Sequence, residues 1–376
     1  MELNLVFSTI NEVSNEALIY IFNKFNINFN KFLNVDSKLD EQIFNKKMII
    51  YLRIKNDEFI LCEESVYQYK LNIIVTNQSL HEFDMEANDL INIFFSTHRA
   101  ESNVKSLSVH TIGNFSKKPK MAPFTEYFGG FDFYLMNWLF LSMNYNYLKS
   151  GMDFNDKKIE EMILKSDLYE LSKELNQKSE SFDSDIVFEA THHGPKNPNK
   201  IIFYEIGSTI IEWKDKDRIK FYVENFFFSI KNYDTFVDYV EDQREKFFNA
   251  KDVMINTNLA KLDFSNVDKS FFESKYHPFF KVFVLGGNHY CSEMNKLVLK
   301  NKVILGPVIS KISLEEINFE LLDKIFVEND FDFILVDEKG LGSYKSEIFD
   351  NLEKRYSYKF NQGFVKLKDL KKIKKV

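Results

Sequence analysis

The stretch Ile201 to Thr209, IIFYEIGST, reads as a strand that carries one carboxylate and then breaks at a glycine. In an α/β sheet the carboxyl ends of the strands face a cleft, so Glu205 is placed to orient an imidazole, bind a metal or act as a base. A helix cap or a salt bridge would account for the same residue taken alone. Similar short apolar runs recur along the chain, at Asn4 to Phe7, Met48 to Arg53, Leu71 to Val75, Ile91 to Phe95, Leu107 to His110, Ile186 to Glu189, Val282 to Leu285, Val303 to Leu305 and Phe333 to Val336. Helical patterns fit between them; Ile159, Met162, Ile163 and Leu171 fall near one face of a segment whose opposite face is rich in Lys and Glu. The alternation predicts an α/β fold with a mixed sheet and flanking helices.

The 376 residues are 44% apolar and 28% charged, enough for a substantial core and for two lobes. The polar stretch Glu174 to Asp185 divides them best, giving an amino-terminal α/β lobe over 1–185 and a carboxyl-terminal α/β lobe over 186–376. Cys62 and Cys291 lie far apart, which argues against a disulfide framework or a Cys-rich zinc module and fits a reducing cytosol. The first residues have neither the basic region nor the apolar run of an export signal. The stretch Phe131 to Tyr147 is apolar but broken by Asp132, Asn137, Asn144 and Asn146, so it is expected to be buried in protein rather than in a membrane. A net charge of −7 counts against a nucleic-acid partner. The last eleven residues, KLKDLKKIKKV, hold six lysines and read as a solvated tail or as a loose phosphate contact.

Three further stretches carry chemistry. FEATHHGP, Phe188 to Pro195, sets His192 beside His193 before a Gly-Pro turn. In a regular strand the two rings would face opposite ways, but Gly194 and Pro195 end strand pairing and let both approach one cleft. There an imidazole serves as general base, donor or metal ligand, while a packing histidine next to an exposed one is the plainer reading. In VLGGNHY, Gly286 and Gly287 follow an apolar strand and precede His289; paired glycines form a tight turn, or offer N–H groups to an oxyanion. In FFSTHRAESNVKSLSVHTIGN, Phe94 to Asn114, His98 and His110 end two strand-like runs, and Arg99 and Lys105 could hold a phosphate or carboxylate. A polar hairpin would explain that stretch equally.

Together, STHRAESNVKSLSVHTIGN, FEATHHGP, FYEIGSTIIEW and GGNHY, in this order, resemble the archaeal and plant type of D-aminoacyl-tRNA deacylase, over roughly Ile91 to Tyr290. The resemblance implies a fold with likeness to peptidyl-tRNA hydrolases, hydrolysis of the ester joining a D-amino acid to tRNA in the cytoplasm, and zinc as cofactor. By motif position it carries over His98, His110, His192, His193, Glu205 and His289 as candidate metal ligands. His192, His193, Glu205 and His289 are the candidate catalytic groups, and Arg99, Lys105, Gly286 and Gly287 the candidate substrate contacts. This chain departs from the family at Asn288, where a small residue is usual, after Tyr290, where Cys291-Ser292-Glu293 replaces Ala-Pro-Arg, and at Gly306-Pro307, where Gly-His is usual. Two other classes remain open on the sequence: a metal-dependent hydrolase of another small ester or amide, and a non-catalytic tRNA-binding relative.

Overall fold

IIFYEIGST lies at the heart of an eight-stranded mixed sheet. The computed structural model describes residues 1–28, 45–83, 85–86, 88–98, 106–111, 113–114, 127–128, 132–147, 157–164, 171, 185–191, 199–207, 209–249, 273–274, 276–315, 317–356, 363–371 and 374–375. The first sheet is built from β1 (Glu2–Ser8), β2 (Asn45–Lys55), β3 (Glu58–Leu61), β4 (Tyr69–Thr76), β5 (Ile91–His98), β6 (Ser106–Thr111), β9 (Asp185–Phe188) and β10 (Lys200–Gly207). Two short strands, β7 (Gly113–Asn114) and β8 (Tyr127–Phe128), pair with each other outside it. The order is β3-β2-β4-β1-β5-β10-β6-β9. Its centre, β4-β1-β5-β10, is parallel, and β2 and β6 run antiparallel to their inner neighbours. Helices α1 (Glu12–Lys24), α2 (Phe133–Tyr147), α3 (Lys157–Leu164), α4 (Ile210–Trp213), α5 (Lys216–Lys231) and α6 (Tyr233–Asn249) accompany this sheet.

A second sheet follows, reached after the two-residue strand β11 (Glu273–Ser274). Strands β12 (Phe280–Leu285), β13 (Val303–Ile309), β14 (Phe333–Val336) and β15 (Gly363–Lys366) are all parallel, in the order β13-β12-β14-β15. Parallel neighbours need crossovers. These are supplied by α7 (Ser292–Leu299), α8 (Phe319–Glu328) and α9 (Lys345–Arg355), with α10 (Leu367–Leu370) closing the chain of helices and β16 (Lys374–Lys375) pairing with β11. The strand order reverses direction at β12, between β13 and β14, and such a switch point leaves a crevice at the carboxyl ends of the strands.

The expected α/β class and all of the ten expected strands are present; most run further than expected, while Phe333–Val336 keeps its expected bounds and β9 starts one residue earlier and stops at Phe188. β3 and β15 are strands the periodicity did not mark. The proposed division at residue 185 falls inside the first sheet, because β9 and β10 follow it and still belong there; the second sheet begins only at Phe280. The Glu174 to Asp185 linker lies almost wholly outside the described residues. One apolar core spans both sheets. Helix α2 joins them. It is apolar nearly all round, as a helix buried on every side must be, and Trp138, Leu139, Phe140 and Leu141 are fully buried. Its Asn137 faces the edge strand β13, donating to the Leu305 carbonyl (2.8 Å) and accepting from the Leu305 N–H (2.9 Å), so a side-chain amide takes the place of a neighbouring strand. The lysine-rich carboxyl terminus is not a free tail throughout. Lys366 ends β15, and Leu367, Asp369 and Leu370 are buried.

Candidate active site

Sheet register places the polar groups of the first sheet in one row. Glu205 of β10 lies opposite Ser96 of β5 and Ser108 of β6, Gly207 opposite His98, and Phe203 opposite His110. Residues opposite each other, and those two apart on one strand, share a face, so His98, Glu205 and His110 project to the same side. The alternate residues Phe95, Tyr204, Ile206, Leu107 and Val109 go to the main core on the other side. Gly207 is required at the end of the row: a Cβ there would lie 2.3 Å from the His98 Cβ and 2.5 Å from its carbonyl oxygen. Phe203 stacks on the His110 ring, with centroids 5.3 Å apart and planes at 8°, which fixes the ring's tilt.

The centre of the cluster is Glu189, a residue of FEATHHGP that motif reading passed over in favour of the two histidines after it. Its side chain is 0% exposed. Oε1 lies 3.1 Å from His98 Nε2 and Oε2 lies 3.2 Å from His289 Nε2, so one carboxylate is bridged by imidazoles from two different sheets. The segment after β9 holds it there as a strap across the seam. The Glu189 N–H donates to the Val109 carbonyl of β6, the Ala190 N–H to the His289 carbonyl (2.7 Å), and the Thr191 N–H to the Val308 carbonyl of β13 (2.9 Å). Val308 N–H returns a bond to Thr191 Oγ1 (3.1 Å). Phe188 N–H donates to Asn295 Oδ1 (3.0 Å), and Asn295 in turn donates to the Tyr290 carbonyl (2.9 Å).

The cluster is strongly coupled electrostatically. Burial works against charging His98, but the Glu189 carboxylate, with Glu205 behind it, raises its pKa above the ordinary value. Burial also opposes charge on His110, and Glu205, Glu189 and the Thr111 carbonyl raise it in the same way. Burial disfavours the Glu189 carboxylate, yet hydrogen bonds from His289 and His98 and the charges of His98 and His110 hold its pKa well below the usual range. His110 Nε2 stands 3.6 Å from Glu205 Oε2, an ion-pair distance rather than a hydrogen bond. Nearby Cys291 is no nucleophile: burial first, and the Glu189 charge second, push its thiol pKa well up.

The donor types suit zinc. His98, Glu189 and His289 form one set and His110, Glu189 and Glu205 another, and the donor atoms of each set lie within 4.8 Å of one another. His110 Nδ1 is 3.0 Å from the Thr111 carbonyl, which only accepts, so Nδ1 carries the proton. A neutral His110 therefore presents its Nε2 lone pair to the carboxylates, the orientation and outer contact that metal-ligating histidines use. Two carboxylates this close in a buried site need a cation, whether an imidazolium or a metal.

Of the sequence candidates, His98, His110, Glu205 and His289 are brought together. His192, His193, Arg99 and Lys105 lie outside the described residues. Gly286 and Gly287 both have left-handed backbone, at φ 96° and 109°. Gly286 is a packing residue: its N–H donates to the Ile309 carbonyl (2.9 Å), and a Cβ would come 2.6 Å from the Asp337 carbonyl. The departures from the family pattern have structural uses. Asn288 Oδ1 accepts from the Ser292 N–H at the start of α7 (3.1 Å). Gly306-Pro307 form an irregularity in β13, where Val282 pairs with Leu305 but Val284 pairs with Val308. That shift turns Val308 toward the Thr191 strap. β5 and β6, read as a possible hairpin, are separated by β10.

A family model described as D-aminoacyl-tRNA deacylase matches residues 161–360, a span that includes FEATHHGP, FYEIGST and GGNHY. The D-aminoacyl-tRNA deacylase of Picrophilus torridus is 24% identical to this chain, over 75% of it and 82% of its own length. That of Cenarchaeum symbiosum is 26% identical over 69% and 73%, and that of Methanococcus vannielii 25% identical over 68% and 75%. Among solved structures, a conserved protein of unknown function superposes with a TM-score of 0.57 at 17% identity, covering 99% of this chain and 97% of its own, a likeness of fold.

Proposed function

The chain belongs to the D-aminoacyl-tRNA deacylase family, and we propose that the Glu189-centred seam is where its reaction takes place. The protein is a hydrolase of the ester bond of D-aminoacyl-tRNA, releasing free D-amino acid and tRNA. The observation that carries the assignment is the bridged carboxylate: Glu189, wholly buried, held at 3.1 and 3.2 Å by His98 from one sheet and His289 from the other.

His289 is the imidazole with solvent access, its side chain 26% exposed, and it takes the role of general base. It removes a proton from the attacking water as the oxygen bonds to the ester carbonyl carbon, and returns that proton to the departing ribose oxygen as the carbon–oxygen bond breaks. Glu189, 3.2 Å from its Nε2, fixes the ring, the base-and-orienter relation found where a carboxylate backs a catalytic histidine. His98 and His110, with raised pKa values, keep Glu189 ionised despite its burial. With the Gly286 N–H engaged by Ile309 and Gly340 packed against the Gly287 nitrogen, any oxyanion contact from the paired glycines falls to Gly287, which lines the cleft. No serine nucleophile is called for. Of the two donor sets, His110, Glu189 and Glu205 would hold zinc, which would supply Lewis acidity beside the ester when bound and leave His289 as the base. His192 and His193 follow Glu189 by three and four residues in the sequence, and they are proposed for an acid–base or ligand role, with Arg99 and Lys105 as cationic contacts to tRNA. A cytoplasmic location is part of this proposal, resting on the tRNA substrate. Among the described residues no helix is long and apolar enough to cross a membrane.

The test is deacylation of D- and L-tyrosyl-tRNA with and without chelator, alongside elemental analysis. The D-ester is expected to be cleaved and the L-ester spared, with bound zinc that falls, together with turnover, in Glu205→Gln. Equal rates on both enantiomers would contradict the reading; full activity in chelator with no bound metal would remove zinc from it.

A further inference from the structure

A cleft of about 450 Å³ opens at the carboxyl ends of β12, β13 and β14, at the switch point of the second sheet. That volume is within the roughly 300–1,000 Å³ typical of small-ligand sites. His289 lines it, so the cleft is continuous with the catalytic seam. Its other walls come from three separate strand ends: Gly287 and Asn288 after β12, Ser310 and Lys311 after β13, and Asp337, Lys339 and Gly340 after β14.

The charges are arranged for a particular ligand. Lys311 and Lys339 are exposed on the wall, and neither has a carboxylate partner among the described residues. Lys311 is not loose: its stem lies over Gly342, where a Cβ would meet Cε at 2.7 Å and Nζ at 3.0 Å. The acidic Glu293 at the rim is already engaged by Lys296 and Lys371, and those two lysines hold its pKa down to about 2, so its charge is largely spent outside the cleft. Asp337, by contrast, is buried at the end of β14 with Oδ1 anchored by the Lys339 N–H (3.2 Å). Two cations beside one fixed, acceptor-only carboxylate match a phosphate next to a hydroxyl-bearing sugar.

We infer that this cleft is a ribonucleotide subsite: Lys311 and Lys339 hold a phosphate and Asp337 accepts from a ribose hydroxyl, seating the 3′ end of the tRNA with its ester against His289. The inference rests on the proposed function for the identity of the tRNA, while the nucleotide chemistry of the cleft stands on its own. A free mononucleotide has the same chemistry, and the experiment separates the two sources.

The experiment titrates the full-length protein with the ribotrinucleotide CCA, its all-deoxy counterpart and AMP, and measures kcat and KM on D-tyrosyl-tRNA. CCA is expected to bind and to inhibit turnover competitively. The Lys311→Glu/Lys339→Glu variant should bind it at least tenfold more weakly and show a correspondingly raised KM. Lys324→Glu/Lys354→Glu, the same charge change on exposed helix positions that do not line the cleft, should do neither. The deoxy trinucleotide should bind more weakly to wild type, and Asp337→Asn should abolish that discrimination. Unchanged CCA binding and KM in the cleft variant would overturn the inference, as would AMP binding through the lysines without competing against tRNA. Lysine-dependent CCA binding in a protein that leaves D-tyrosyl-tRNA intact would sink the proposed reaction and keep the subsite.

Discussion

The two faces of the active region are built on opposite principles. On the first sheet, His98, His110 and Glu205, with Glu189, are almost wholly buried and held by strand register, so their mutual positions are part of the fold. On the second sheet, the cleft is open and its cations, Lys311 and Lys339, are long, exposed side chains after the ends of two strands. Buried charges interact strongly because water does not screen them, and they hold fixed geometry; exposed lysines interact weakly one by one and adapt to a ligand's shape. The contrast assigns chemistry to the first region and recognition to the second. His289, carried by the second sheet but at ion-pair distance from Glu189, is where they meet.

Breaking the contact between the regions should have the largest consequence. His289→Ala removes the accessible imidazole and leaves the buried row in place, so kcat is expected to fall by about 10²–10⁴-fold, as when a general base is lost. KM on D-tyrosyl-tRNA should change by only a few-fold. A rise in KM with kcat unchanged would instead make His289 a binding residue.

Disturbing the joint should act on stability before chemistry. Asn137→Ala leaves the Leu305 N–H and carbonyl without their buried partner, and each orphaned group costs about 1–3 kcal/mol. Urea unfolding should show that loss in one cooperative transition, since one core spans both sheets. Two separated transitions would show that the sheets unfold independently.

The smallest effect concerns pH in chelator-treated protein. Glu189 has a folded pKa below its ordinary value of 4.5, so its contribution is present above that value and lost as pH falls through the folded pKa. His98 and His110 have folded values above 6.5, so theirs is present below 6.5 and lost as pH rises through the folded values. The Tm difference between wild type and Glu189→Gln should therefore be greatest between pH 4.5 and 6.5. A difference that grows steadily above pH 7 would contradict the ion-pair account.

The strands were legible because buried parallel strands are short apolar runs, and β10 announced itself through IIFYEIG. The edge strand β3 and the terminal β15 were not, because EFIL and GFVK are brief and sit beside charged residues. His98, His110 and His289 were legible as a rare residue type in or after strand-like runs, and Glu205 as the one carboxylate inside the apolar run of β10. Glu189 was not, because glutamate is common and the adjacent His192-His193 pair drew the reading; the available signal was a carboxylate closing the apolar run Ile186 to Phe188. Lys311, Asp337 and Lys339 carry no local signal at all, since only the crossing of β12, β13 and β14 brings them to one cleft. The sheet that crosses residue 185 was not legible for a related reason: β9 and β10 return to a sheet begun at Glu2, and sheet membership is a long-range property.

The most direct test of the catalytic assignment is the single-turnover rate of D-tyrosyl-tRNA hydrolysis at saturating enzyme, wild type against Glu189→Gln, with urea unfolding of both to confirm a folded variant. The amide keeps the shape of the side chain but loses the charge that orients His289 and pairs with His98. The account predicts a rate lower by at least about a hundredfold in a protein that still unfolds cooperatively. A folded Glu189→Gln variant that hydrolyses the ester within a few-fold of wild type would contradict it.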